Sequence, residues 1–154
     1  RGVSLLLGAV AVGSAMPGAI VLAGMAGLAL FISAVTRIAD RETEALRFGA
    51  LRWMPALVVG AMFAVLGSMR PEAASGAAAC AAAAVASLLA WAQRLAGRPQ
   101  PHVVGPAVGG MIRAVLPVQA GLCTLAGGRG WVVAAVLLAG WPLSAWLGKR
   151  FYAS

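Results

Sequence analysis

Long apolar runs follow one another through almost the whole chain, and this pattern constrains the fold more than any motif. Six runs are separated by short polar or Gly/Pro-containing stretches within 154 residues. A bilayer core about 30 Å thick requires about 20 apolar residues per helix. The runs do not alternate with period two, as the strands of a membrane barrel would. The sequence therefore predicts an all-α, multi-span transmembrane bundle of about six helices in a single domain, residues 1–154. The runs cover residues 3–16, 19–35, 50–69, 76–92, 106–125 and 131–147.

The composition excludes a soluble enzyme. Hydrophobic residues make up 62% of the chain and charged residues 10%, whereas a soluble domain carries about 25% charged residues. The formal net charge is +8, but a nucleic-acid binder gathers its basic residues on a water-soluble face. Here they are sparse and lie mostly between apolar runs. We therefore predict contact with membrane lipid and no nucleic-acid partner.

The basic residues divide unequally between the two sides of the predicted bundle. Cytoplasmic loops of membrane proteins are enriched in Lys and Arg. Nine basic residues fall on one side and two, Arg70 and Arg129, on the other. The larger group predicts that the loops after the second and fourth runs, and the C-terminus, are cytoplasmic. It comprises Arg1, Arg37, Arg41, Arg47, Arg52, Arg94, Arg98, Lys149 and Arg150.

Acidic residues are rare, and most of them are clustered. Asp40, Glu42 and Glu44 are three of only four acids in the chain; Arg41 lies among them and Arg37 precedes Asp40 by three residues. If the second run continues as a helix, Asp40 and Glu44 lie one turn apart on one face. Carboxylates bind Mg²⁺ together with phosphate oxygens, and the arginine fork matches those oxygens. The stretch predicts either a magnesium diphosphate site or a solvated loop whose opposite charges pair with each other.

Arg113 is a charge inside the fifth apolar run, with Gln119 almost two turns further on. A charge at membrane depth is costly and usually faces a cavity or a partner. Alternatively, the helix starts late and the side chain extends to the interface. In the third run, Ala56, Gly60 and Ala64 are spaced by four, which predicts a face for close helix packing.

Several short stretches together carry a family resemblance. They are residues 1–8 (RGVSLLLG), 34–42 (AVTRIADRE), 46–49 (LRFG), 112–120 (IRAVLPVQA) and 151–154 (FYAS). In this order they resemble the C-terminal half of the UbiA superfamily of integral-membrane prenyltransferases, in a divergent bacterial branch. The second of them ends a span and enters an acidic loop, where that family has its second Asp-rich motif.

The resemblance implies an activity and assigns roles to the residues singled out above. The expected reaction transfers an isoprenoid chain from a prenyl diphosphate to an acceptor, aromatic by family habit, with Mg²⁺-assisted loss of diphosphate. Gln119 would line the substrate tunnel. The expected metal ligands are Asp40, Glu42 and Glu44, of which Asp40 and Glu44 are the catalytic pair, and the expected diphosphate ligands are Arg37, Arg41 and Arg113.

The chain departs from the family pattern in two ways. The family's first Asp-rich motif is absent, and the second contains Glu42 and Glu44 where Asp is commoner. Either the chain is a fragment of a longer protein, which the apolar start at Arg1 favours, or the branch has drifted from the usual chemistry. The alternative function is a non-enzymatic polytopic membrane protein, such as a transporter half or an assembly subunit.

Overall fold

A computed structural model describes residues 18–40, 48–97 and 99–151 of the chain. Every regular element in these ranges is helical, so the all-α prediction is confirmed for this part of the protein. Short 3-10 helices at Gly49–Trp53 and Pro71–Ala73 precede the second and third α-helices. The α-helices are α1 (Gly18–Ala39), α2 (Met54–Met69), α3 (Ala74–Arg94), α4 (Pro101–Arg113), α5 (Val115–Ala126) and α6 (Gly130–Phe151).

Five spans in the described ranges are long and apolar enough to cross a membrane, as a multi-pass membrane protein requires. Helices α4 and α5 together form one of them, His102–Ala126. The first predicted run, residues 3–16, lies outside the described residues. Large apolar side chains also cover the outside of the bundle, as lipid contact demands. Examples are Leu22, Leu57, Val132, Val136 and Leu143.

Helix α1 continues beyond the end predicted for the second run. It includes Thr36, Arg37 and Ile38, which the sequence pattern had placed in the following polar stretch. The Thr36 hydroxyl donates a hydrogen bond to the carbonyl of Ile32 at 3.0 Å, so this polar side chain is satisfied within the helix. Ile38 is fully buried. The predicted end at Val35 is therefore wrong by about one helical turn.

The fifth span begins earlier than predicted and is bent in the middle. Pro101 lies in the first turn of α4, where a missing N–H costs nothing, so His102 is helical rather than in a loop. The prediction of a late helix start is wrong. The bend lies at Arg113 and Ala114, between α4 and α5. Pro117 follows Arg113 by four residues. A proline has no N–H to donate to the carbonyl four residues before it, and its ring clashes with that carbonyl, here the carbonyl of Arg113.

Short connections make consecutive spans antiparallel and give the bundle two distinct ends. We call the end where α1, α3 and α6 stop and α2 and α4 start the basic end, because Arg37, Arg52 and Arg94 lie there. The opposite end carries Arg70 and Arg129. Contacts agree with this arrangement: α3 packs against α2, α4 and α5, α1 packs against α2 and α4, and α6 packs chiefly against α5.

Glycines allow close helix packing at positions that the sequence pattern did not indicate. A Cβ at Gly110 of α4 would overlap the indole ring of Trp91 on α3, and a Cβ at Gly121 of α5 would lie 2.6 Å from Phe63 on α2. In contrast, Gly60 and Ala64 are exposed on the described bundle. Of the predicted packing face on α2, Ala56 is buried, and close packing at Gly60 and Ala64 stays a prediction because no described helix covers them.

Candidate functional site

Arg37 and Asp40 lie at the basic end, where α1 stops. Both side chains are exposed, and the Asp40 N–H donates to the carbonyl of Thr36 at 2.9 Å. The negative end of a helix dipole stabilises a cation in the last turn and disfavours an anion there. The position of Arg37 is therefore explained by its favourable effect on helix stability, whereas the position of Asp40 is not.

The two charges do not neutralise each other in the described structure. Among the described residues the only ion pair joins Arg70 to Glu72 at the opposite end. The solvated-loop hypothesis expects opposite charges at helical spacing to pair, and Arg37 and Asp40, three residues apart, do not do so. Among the described residues the carboxylate of Asp40 therefore has no cationic partner.

The predicted metal site can be compared with the structure only at Asp40. Glu42, Glu44 and Arg41 lie outside the described residues. No group of three His, Cys, Asp or Glu residues that could hold a metal occurs in the described ranges. Mg²⁺ is commonly bound by one or two carboxylates together with water and substrate phosphate. Asp40 is exposed and has no cationic partner in the ranges that the structure describes, so it fits the role of one such ligand.

Arg113 lies at the bend of the fifth span, and its guanidinium points toward the basic end. A Cβ at Gly109, one turn earlier on α4, would lie 3.9 Å from Nη1 of Arg113, and a Cβ at Gly148 of α6 would lie 2.9 Å from the same atom. Helical side chains generally point toward the N-terminus of their helix, and α4 begins at the basic end. Gly109 on the same helix and Gly148 on α6 thus provide the space that the half-buried Arg113 side chain occupies.

The surroundings of Arg113 stabilise its charge without a carboxylate partner among the described residues. Gly148 lies close to the C-terminus of α6, where free carbonyl groups and the helix dipole favour a cation. This support is partial, and the guanidinium keeps donors that no described acid occupies. Arg113 is therefore able to bind an anion that approaches the basic end.

Gln119 is half-buried in α5, on the far side of the bend. It follows Arg113 by six residues, a spacing that does not place two side chains on one face of a regular helix. No described contact brings Gln119 and Arg113 together. Its predicted position along a substrate tunnel stays a prediction.

Two arginines that were counted above only to predict the orientation of the bundle in the membrane lie over tryptophan rings at the basic end. The Cζ atom of Arg52 is 5.0 Å from the ring centroid of Trp53, and that of Arg94 is 4.5 Å from the ring centroid of Trp91. The sequence signals are an adjacent Arg-Trp pair and a Trp and Arg spaced by three on α3. Such cation–π pairs stabilise a charge near an apolar surface.

No family model, curated protein or solved structure matches this chain. The resemblance to UbiA prenyltransferases therefore stays a hypothesis drawn from short stretches of sequence.

Proposed function

We propose that this chain is part of an integral-membrane prenyltransferase of the UbiA type, whose basic end binds the diphosphate of the prenyl donor. The observation that carries the proposal is the position of Arg113. Its guanidinium is half-buried, is directed toward the basic end, and has no carboxylate partner among the described residues. A half-buried cation whose donors no described acid occupies can bind the charge of an anionic leaving group. Arg37 and Asp40 lie at the same end of the bundle.

The proposed roles follow from the charges of these side chains. Arg113 would donate hydrogen bonds to the diphosphate from within the bundle, and Arg37 would attract it from the surface. Asp40 would provide one oxygen ligand to Mg²⁺, completed by Glu42 and Glu44 if the resemblance holds. Magnesium, when bound, supplies charge neutralisation to the departing diphosphate. The apolar bundle would keep the isoprenoid chain out of water.

The proposed reaction exchanges one bond for another. The bond between the allylic carbon and the diphosphate oxygen breaks, and the diphosphate leaves with the electron pair. A carbon of the acceptor then bonds to the allylic carbon and loses its proton to a base. Stabilising the developing charge on the diphosphate is the step in which a preorganised guanidinium contributes most.

The alternative, half of a transporter, has one observation in its favour. Transporters bind substrates near the membrane midplane where helices are broken, and the fifth span is bent at Arg113. However, the Arg113 guanidinium is directed away from the middle of the span toward the basic end. This direction favours a ligand at the membrane surface over one carried through the bundle.

Binding of farnesyl diphosphate to the complete natural protein, reconstituted in nanodiscs with Mg²⁺, tests the proposal. We expect Arg113→Gln to raise Kd by about tenfold or more, since a charge-assisted hydrogen bond is worth about 1.5–3 kcal/mol. Gly148→Leu should also raise Kd, because its side chain takes the space of the guanidinium. Gly140→Leu is the matched control on α6, since a Cβ at Gly140 meets no atom within 4 Å.

Two results would contradict the proposal. One is an unchanged Kd in Arg113→Gln. The other is the absence of any Mg²⁺-dependent release of diphosphate from farnesyl diphosphate in membranes that contain the wild-type protein, which would favour the non-enzymatic alternative.

A further inference from the structure

Arg94 ends the third helix at the basic end of the bundle. It is the last residue of the candidate span Pro71–Arg94, and its side chain is exposed. Leu95, directly after it, and Ala92, two residues before it, are fully buried. Because these neighbours are anchored in the core, the backbone of Arg94 is fixed at the end of the span, where lipid headgroups meet a membrane helix.

The guanidinium of Arg94 lies on a tryptophan ring that is itself held in place. Its Cζ atom is 4.5 Å from the ring centroid of Trp91. The Trp91 side chain packs against the main hydrophobic core, and α4 approaches it so closely that a Cβ at Gly110 would overlap the indole ring. A cation–π contact with a ring held in this way restricts the guanidinium before any ligand arrives, which lowers the entropy cost of binding.

The hydrogen-bond donors of this guanidinium are not used within the described bundle. The ring covers one face of the group, whereas its N–H bonds lie in the plane of the guanidinium. Within residues 18–40, 48–97 and 99–151, Arg94 forms no ion pair and donates no side-chain hydrogen bond. The dipole of α3 favours a cation in its last turn but occupies none of these donors. Because the side chain is exposed, an anion at the membrane surface can reach them.

The surface that precedes Arg94 on the same face of α3 is apolar. Ala90 and Ala86, one and two turns earlier, are both exposed and lie within the candidate span. A phospholipid has the same order of groups, with a phosphate at the surface and acyl chains directly below it. The arginine fork matches two oxygens of one phosphate. Charge and apolar surface together therefore favour a lipid over a soluble anion.

We propose that Arg94, held over the Trp91 ring, binds the phosphate of an anionic phospholipid at the basic end, with an acyl chain along Ala90 and Ala86. This site does not depend on the proposed transfer reaction. Arg129 provides a matched comparison. It is an exposed arginine at the opposite end and likewise has no ion pair among the described residues, but no described aromatic ring lies under its guanidinium.

The first experiment places the complete protein in nanodiscs of phosphatidylcholine, with or without phosphatidylglycerol. Modification of each arginine by phenylglyoxal is measured by peptide mass spectrometry. Both faces of a nanodisc carry the same lipids, so Arg129 reports the general effect of an anionic surface. We expect phosphatidylglycerol to slow the modification of Arg94 about tenfold more than that of Arg129, since a charge-assisted hydrogen bond is worth about 1.5–3 kcal/mol.

Three results would overturn the proposal. Equal slowing of Arg94 and Arg129 would show only the general effect of surface charge. Protection of Arg94 by sodium phosphate in nanodiscs of phosphatidylcholine alone would assign the arginine to a soluble anion. Protection of Arg94 without phosphatidylglycerol that is lost in Glu42→Gln/Glu44→Gln would mean that acids of the chain itself are its partners.

A second measurement is native mass spectrometry of variants released from mixed-lipid nanodiscs. Retention of phosphatidylglycerol should fall in Arg94→Gln and stay at the wild-type level in the control Arg129→Gln. Arg113→Gln should also leave it unchanged, so failure of this site and failure of the transferase proposal are separately observable. Equal retention of phosphatidylglycerol by Arg94→Gln and the wild type would contradict a headgroup site at Arg94.

Discussion

Asp40→Asn should lower Mg²⁺-dependent transfer from farnesyl diphosphate by about 100-fold or more in the complete protein. The substitution keeps the size of the side chain and removes the charge that binds a divalent cation. Losing several kcal/mol of charge stabilisation in the transition state corresponds to this factor. Helix stability should not decrease, because a negative charge at the C-terminus of α1 is unfavourable to the helix.

The matched control for Asp40→Asn is Glu72→Gln. Glu72 is also an exposed acid next to a helix end, but it lies at the opposite end and pairs with Arg70. Exposed ion pairs contribute little to stability, so we expect this variant to retain full transfer activity. The measurement is the rate at which label from farnesyl diphosphate enters a product free of phosphate, in membranes with equal protein content. Full activity in Asp40→Asn would show that the end of α1 is only a charged, solvated surface.

Gly110→Val should destabilise the bundle more than any other single glycine replacement considered above. A Cβ at position 110 would overlap the indole ring of Trp91, and the Arg94 guanidinium also packs over this ring, with its Cζ atom 4.5 Å from the centroid. A rigid ring held between α3 and α4 cannot move aside as a flexible chain does. Overpacking of a close-packed interior costs about 1–3 kcal/mol or more. We therefore expect a clear fall in the thermal unfolding midpoint in detergent.

Gly60→Val is the control for this effect. It makes the same chemical change within a transmembrane helix, but a Cβ at Gly60 meets no atom within 4 Å. The midpoint of this variant should stay within a few degrees of the wild type, because the change in helix propensity from Gly to Val is below about 1 kcal/mol. Equal destabilisation by both variants would mean that loss of glycine, and not the contact with Trp91, is responsible.

Much of the helical architecture was predictable from hydropathy because the bilayer imposes strong requirements on each span separately. A run of apolar residues without charges has to satisfy its own backbone groups, and a helix does so locally. The wrong predictions of helix bounds concern the ends of two helices. Thr36 is a polar residue, but its hydroxyl bonds to a carbonyl of its own helix, so the helix continues through it. Proline disrupts the interior of a helix but is favourable in the first turn, where Pro101 lies. Both effects depend on local hydrogen bonding, which hydropathy does not record.

The candidate site was less predictable, since its geometry depends on pairs of helices that are distant in sequence. The spacing of Asp40, Glu42 and Glu44 indicated acidic chemistry, but only Asp40 can be compared with the structure. Arg113 was recognised as unusual from its position in an apolar run, yet either direction of its side chain was compatible with the sequence. The burial of the Arg52 Nε atom was not predicted, because it results from the packing of a short 3-10 helix on three other helices.

The sequence by itself indicated a bundle of helices that are long and apolar enough to cross a membrane, and it predicted that most basic residues lie on one side of this bundle. These properties follow from how each segment partitions between water and lipid, one segment at a time. Only the tertiary structure decided that the Arg113 guanidinium lies against Gly109 and Gly148 and that Gly110 is a site of close packing. It alone also decided that the Nε of Arg52 is buried with no acceptor among the described residues. These contacts join residues of different helices, and their distances are set by the packing of the whole bundle.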